Sequence, residues 1–223
     1  SSEYEGQTVN SPLAFHIVQK SQTYIDKNGK TKRKSDVSKN EVVLEQLKCL
    51  TFQNQIKYKY ILFDTWFSCS NTLKYIHDKL EKVFVCPIKS NRLIALSLED
   101  KKEGKFVNVS SLQLDSQEAL QVYVKGLECP VKLVKQVFTN KDYSKGVLYL
   151  ISNDMKHSYD QITTIYQKRW KVEEFHKSLK QNAALGSAPV RTVKTQNNHI
   201  FASIYAVFKL ECLKVKHRVN HFA

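Results

Sequence analysis

The stretch Ser158–Gln181, SYDQITTIYQKRWKVEEFHKSLKQ, decides the reading of this chain. It contains no Gly or Pro and is rich in Lys, Glu and Gln. It opens with Ser158-x-x-Gln161, a capping-box pattern in which each side chain satisfies an early backbone amide. One continuous helix is expected. At 100° per residue, Tyr166, Arg169, Glu173 and Lys180 share an arc of roughly 60°. Ile165, Val172, Phe175 and Leu179 form an apolar face beside that stripe and are expected to point into the core. Trp170 lies about 40–60° off the stripe and is expected to pack rather than to stack on a ligand. In an arbitrary helix, such a stripe is a solvated face with i,i+4 charge pairs.

Upstream, Tyr60–Phe63 reads as a short buried strand that ends in Asp64. In open α/β sheets, ligands and reacting groups gather at such C-terminal strand ends; a turn or helix-capping role is the plainer account of one Asp. Ser68 or Ser70 is placed to cap the next helix, with Leu73, Ile76 and Leu80 facing inward. Val83–Ile88 (VFVCPI) is another strand, followed by Lys89-Ser90-Asn91-Arg92. Two cations and an amide on that loop suit phosphate contact. From Leu93 to Ile151 the signals are mostly strands: RLIALSL, FVNVSSLQL, QVYVKG, VKLVKQVF and VLYLIS.

At the start, Val9–Lys20 is rich in strand formers, with Pro12 suiting an edge. Residues 21–40 are basic around an Asn28-Gly29 turn and nearly free of apolar side chains; both a solvated linker and a phosphate-contacting loop fit. Ser38-x-x-Glu41 opens a helix with Val43, Leu44, Leu47 and Leu50 on one side. At the other end, an irregular link containing Gly186, Pro189, Arg191 and Lys194 leads to a last helix over roughly 197–216. The 223 residues allow one sizeable core, or a core with an inserted subdomain. An excess of 35 Lys and Arg over 21 Asp and Glu, +14, suits a polyanionic partner. Five cysteines without a CxxC pair read as reduced core thiols, arguing against a zinc site or a disulfide framework. No apolar run is long enough to span a membrane.

Tyr166-x2-Arg169-x3-Glu173-x6-Lys180, with Arg169-Trp170 inside it, resembles the signature around the final glutamate of DDE-class insertion-sequence transposases. DTWFSCSNTLKYIH, from Asp64, is similar to the segment around the second aspartate of that group, and KSNR resembles the pattern after the following strand. The long step from Asp64 to Glu173 resembles the subgroup with a β-rich insertion there. The resemblance runs from about Glu5 to Lys216. It implies an RNase H-like mixed α/β sheet with flanking helices, divided as core 5–92, insertion 93–151 and core 152–216.

The chemistry it implies is hydrolysis of a DNA phosphodiester followed by strand transfer at transposon ends. Asp64 and Glu173 would be the catalytic residues and the ligands of Mg²⁺, with Mn²⁺ able to substitute. Tyr166, Arg169, Lys180, Lys89, Asn91 and Arg92 would hold double-stranded DNA, and Trp66 would stack on it. A homodimer in a synaptic complex and a cytoplasmic, DNA-associated, prokaryotic setting are also implied. One family element is missing. The first aspartate stands on an opening strand upstream of the segment that EGQTVNSPLAFHIVQK resembles, and Glu3, Glu5, Asp26 and Asp36 do not stand in its context. The chain therefore reads as an N-terminally truncated transposase lacking the first strand, the alternative being a non-catalytic, transposase-derived DNA-binding protein.

Overall fold

The computed structural model describes residues 1–115, 117–139, 142–187 and 191–218. Two compact units divide the chain: residues 37–168 form one, and residues 1–36 together with those from Arg169 onward form the other.

The chain starts with two hairpins: β1 (Ser2–Tyr4) with β2 (Gln7–Val9), and β3 (Gln22–Ile25) with β4 (Thr31–Lys34). The expected edge strand over Val9–Lys20 does not form. The Asn10 amide donates to Glu211 Oε1 at 2.7 Å, so the ladder stops at Val9, and Pro12 could not have extended it. The basic stretch after Ser21 is more ordered than a loop, being a fully exposed hairpin around Asn28-Gly29.

The second unit begins with α1 (Lys39–Lys48), whose Ser38–Glu41 capping box forms as expected. After β5 (Tyr60–Leu62) and a tight turn comes α2 (Ser70–Lys74), which widens into a π-turn over Tyr75–Lys79. Leu73, Ile76 and Leu80 are all buried. Neither Ser68 nor Ser70 caps α2. Cys69 takes that position, with its Sγ 3.1 Å from Thr72 Oγ1. Strand β6 (Val83–Ile88) follows, then β7 (Leu93–Ala95). RLIALSL does not stay extended: Ser97 accepts from the Asp100 amide at 3.0 Å and starts α3 (Leu98–Lys102). Similarly, only Val107–Asn108 of FVNVSSLQL pairs, as β8. Strands β9 (Ala119–Val124), β10 (Val131–Thr139) and β11 (Lys145–Ser152) complete the set.

These strands form one seven-stranded mixed sheet in the order β5-β6-β11-β10-β9-β7-β8. Only the β5–β6 pair is parallel, so both strands run out at the same end of the sheet. VFVCPI is continuously apolar because β6 lies between two partners with both faces covered. Its Pro87 faces Leu150 of β11 but lies beyond the reach of β5, whose pairing ends at Val85, so the missing N–H disrupts no ladder there. Among the described residues β5 is an end strand, paired on one side. One face of the sheet buries Leu73, Ile76, Phe84, Ile94, Leu133 and Ile151; Val85, Val134, Leu150 and Ile162 form a second cluster.

The expected helix over residues 158–181 is two helices. Its capping box forms, and α4 (Tyr159–Gln167) packs Ile162, Ile165 and Tyr166 into the second cluster. A 3-10 turn over Lys168–Trp170 then intervenes before α5 (Lys171–Asn182). The two halves serve different compact units, and the tighter turn lies where the chain passes between them. Leu179 is buried and Phe175 half-buried, but Val172 is exposed, as is Trp170 at 63 %, contrary to the packing role expected of both. The last helix, α6 (Val193–His217), starts earlier than expected because Thr192 caps it through the Thr195 amide. Ser203 on α6 donates to Ala183 O at 2.9 Å, tying it to the end of α5. Pro189 lies outside the described residues. Of the cysteines only Cys86 is fully buried, and Cys212 is exposed rather than in the core. No described helix is long and apolar enough to cross a membrane.

Candidate nucleic-acid interface

The parallel pairing of β5 and β6 brings two loops to one sheet end. After β5, Asp64 caps the 3-10 turn Thr65–Phe67, accepting the Trp66 amide on Oδ1 at 2.9 Å. This is the capping role that one strand-end Asp fills most simply, and among the described residues it uses one oxygen of an exposed carboxylate. The turn lifts Trp66 into solvent, 67 % exposed, with Lys39 Nζ 5.5 Å from the indole centroid.

After β6, the loop Lys89–Arg92 is held by its own backbone and by its neighbours. The Arg92 amide donates to Lys89 O at 3.0 Å, Ser110 N to Ser90 O at 2.9 Å, and Val109 N to Arg92 O at 3.0 Å. The Arg92 guanidinium donates through Nη2 to Ser70 Oγ at 2.5 Å, and that hydroxyl lies 3.4 Å from Lys125 O. Gly126 follows with φ +87°, and a Cβ there would come within 2.8 Å of the Ser70 hydroxyl, so glycine is needed for the close approach.

The two loops enclose a cleft of about 410 Å³ lined by Thr65, Trp66, Lys89, Asn91, Arg92 and Lys125, among others. Among the described residues, three cations line it and no carboxylate does. Cations, an amide and an exposed indole suit a polyanion with aromatic bases. Trp66, Lys89, Asn91 and Arg92 thus lie together. Lys125 and Ser70 join them without a local signal in the sequence. Lys125 follows β9, a strand expected only as part of QVYVKG, and only the sheet order carries it to this site, where its amide donates to Leu93 O at 2.9 Å.

The remaining sequence-derived residues are distributed differently. Tyr166 is half-buried against the second cluster of residues 37–168. Arg169, Glu173 and Lys180 belong to the other unit. Arg169 Nη1 donates to Glu173 Oε1 at 3.2 Å, an i,i+4 ion pair, and Lys180 is exposed. A 3-10 turn stands between Tyr166 and Glu173, where the sequence predicts one continuous helix.

Asp64 and Glu173 supply exposed carboxylate oxygens, the hard donors that Mg²⁺ takes, and in that respect they fit the ion. Among the described residues no three His, Cys, Asp or Glu side chains converge into a ready-made cation cage. Elsewhere, burial pushes the Cys86 thiol well above its ordinary range, which makes it inert rather than nucleophilic.

The family described as archaeal putative transposase ISC1217 matches residues 10–220. No curated protein matches the chain.

Proposed function

The chain belongs to this family of insertion-sequence transposases, enzymes of DNA transposition, and from that membership we propose that it cuts and joins DNA at transposon ends. The observation that carries the reading is the carboxylate-free cleft, rich in cations, beside Asp64 at the shared end of β5 and β6. Lys89, Asn91, Arg92 and Lys125 bind backbone phosphates there, and Trp66 stacks on an accessible base. On the other unit, Arg169 and Lys180 contact the same class of polyanion; Tyr166, on α4 of residues 37–168, packs against the second cluster. Asp64 and Glu173 would hold Mg²⁺ or Mn²⁺. Bound there, the ion would supply positive charge to the oxygens that gain charge in phosphodiester hydrolysis. The residues named bind and align the duplex around the bond to be broken.

The mixed sheet is compatible with an RNase H-like organisation, and the division into a core over 5–92 and 152–216 and an insertion over 93–151 is proposed from the resemblance alone. The one-sided β5 fits a further strand beside it, carrying the third carboxylate. Two copies meeting on paired ends would form the synaptic complex.

The test is Mg²⁺-dependent nicking of a transposon-end duplex, by this chain and by one extended upstream. Activity in the extended protein, abolished by Asp64→Asn and by Glu173→Gln, is the expected result. Nicking untouched by either substitution would overturn the assignment. Metal-dependent nicking by the shorter chain would show that no upstream carboxylate is needed.

A further inference from the structure

The hairpin β3–β4 takes no part in the site described above, and its composition is odd for a surface ornament. Residues 22–25 and 31–34 are exposed throughout, yet the hairpin is well held. Asp26 Oδ1 accepts the Asn28 and Lys30 amides at 2.9 Å each, the Gly29 amide closes on Asp26 O at 3.0 Å, and Lys32 pairs with Asp26 Oδ2 at 2.6 Å. At its base, Ser21 Oγ donates to Asp36 Oδ2 at 2.6 Å.

The register separates its two faces. Gln22 opposite Lys34 and Tyr24 opposite Lys32 share one face, and both of these lysines are engaged there: Lys32 by Asp26, Lys34 over the Tyr24 ring at 5.8 Å. Thr23 opposite Arg33 and Ile25 opposite Thr31 share the other. On that second face Ile25 is 72 % exposed, and among the described residues the Arg33 guanidinium has no hydrogen bond or ion pair. Lys27 and Lys30 flank the tip.

We propose that β3–β4 is a DNA-reading ribbon that enters the major groove of duplex DNA with the Thr23–Ile25–Thr31–Arg33 face toward the bases, a sequence-reading contact separate from the cleft beside Asp64. A two-stranded ribbon fits the width of the B-form major groove, and its four paired residues extend about 13 Å along it. Arg33 can donate two parallel hydrogen bonds to a guanine edge, and Ile25 and the threonine methyls suit thymine methyl groups. Lys27 and Lys30 would meet flanking phosphates. The engaged face, with its cations already neutralised or stacked, would face away from the bases. The deep, narrow major groove of A-form RNA would not admit the same ribbon.

The inference rests on the chain being a DNA-binding protein, and the experiment separates the two. Wild-type protein is incubated with random-sequence duplexes, the bound fraction is enriched and sequenced, and affinities for the recovered sequence are measured against salt. Wild type, Arg33→Ala, Lys27→Ala/Lys30→Ala and Arg92→Ala are compared, with thermal melts confirming that each is folded. Arg33→Ala should lose the preference for a guanine at one position, by about tenfold, while retaining affinity for random duplex. Lys27→Ala/Lys30→Ala should lower the slope of log K against log salt by about 2 without changing the preferred sequence. Wild-type affinity and an unchanged sequence preference in the Arg33 variant, with Arg92→Ala still weakening binding, would overturn the ribbon and spare the cleft. Equal binding of an RNA duplex of the recovered sequence would also overturn it. No binding by the wild type would overturn the DNA reading itself.

Discussion

The Arg92 guanidinium reaches Ser70 Oγ at 2.5 Å, joining the loop after β6 to the helix that follows β5. One hydroxyl thereby fixes a cation in a cleft built from separate stretches of chain. Arg92→Ala should weaken duplex binding and reduce the salt slope by about 1. Ser70→Ala should leave the slope unchanged and weaken binding less, because the cation stays and only its orientation loosens. Fluorescence anisotropy over a salt series would distinguish them, and equal effects on slope would remove the positioning role.

Asp64 has a local duty as well as the proposed catalytic one. Asp64→Asn keeps a side-chain oxygen for the Trp66 amide and should cost little stability. Asp64→Ala removes the cap and should cost about 1 kcal/mol. Both should abolish nicking if the carboxylate charge is what the reaction needs. Urea melts alongside nicking assays separate the duties, and an active Asp64→Asn would argue that the residue is only a cap.

Gly126→Ala should destabilise the protein by about 1–3 kcal/mol, because φ +87° suits glycine and the new Cβ would press on the Ser70 hydroxyl. A loss of DNA affinity should accompany it, as Arg92 shares that hydroxyl. The double variant Gly126→Ala/Ser70→Ala should recover part of the stability, and no recovery would show that backbone strain dominates.

On α5, Leu179→Ala should cost about 2–5 kcal/mol, since the side chain is buried. Val172→Ala, at an exposed position, should cost less than about 0.5 kcal/mol. Chemical denaturation of both is the check; similar costs would mean that the exposed face is covered in solution.

His157 gives the fold a pH dependence. Its ring is buried with Ser152 Oγ 3.0 Å from Nδ1; desolvation lowers its pKa below the ordinary value, partly countered by Asp154 at 3.4 Å. A base whose folded pKa is depressed binds its proton more readily when unfolded. Its contribution is therefore present in full above about pH 6.5 and is lost as pH falls towards the folded value. His157→Gln should flatten the fall in melting temperature between about pH 7 and pH 5. An unchanged slope would move the dependence to the carboxylates.

Much of the architecture was legible because its signals are local. Ser38–Glu41 and Ser158–Gln161 each fix a helix start within four residues, and VFVCPI can only be a covered strand. The break at Lys168–Trp170 was not legible, because nothing in KRW opposes a helix; the change of partner unit occurs there. Trp170 is exposed for the same reason: its expected direction follows from a straight helix, and the 3-10 turn interrupts that helix at this residue. In the cleft, Lys89, Asn91 and Arg92 were readable as one loop, whereas Lys125 depends on which strands lie side by side. Sequence spacing carries no such information. Ser97 shows the converse, a good helix cap overriding a run of strand formers.

The hydrogen bond from the Asn10 amide to Glu211, with Lys214 Nζ reaching Thr8 O at 2.8 Å, also orders events during synthesis. Asn10 is synthesised 201 residues before Glu211, so the opening strands are made long before the helix that anchors them. Residues 37–168 have all their strands by Ser152 and can fold while the rest is still being translated. Asn10 and Thr8 must wait through that whole interval for their partners. A nascent chain interrupted before Glu211 would thus carry a finished sheet and an unanchored β1–β2 hairpin, a form open to proteases.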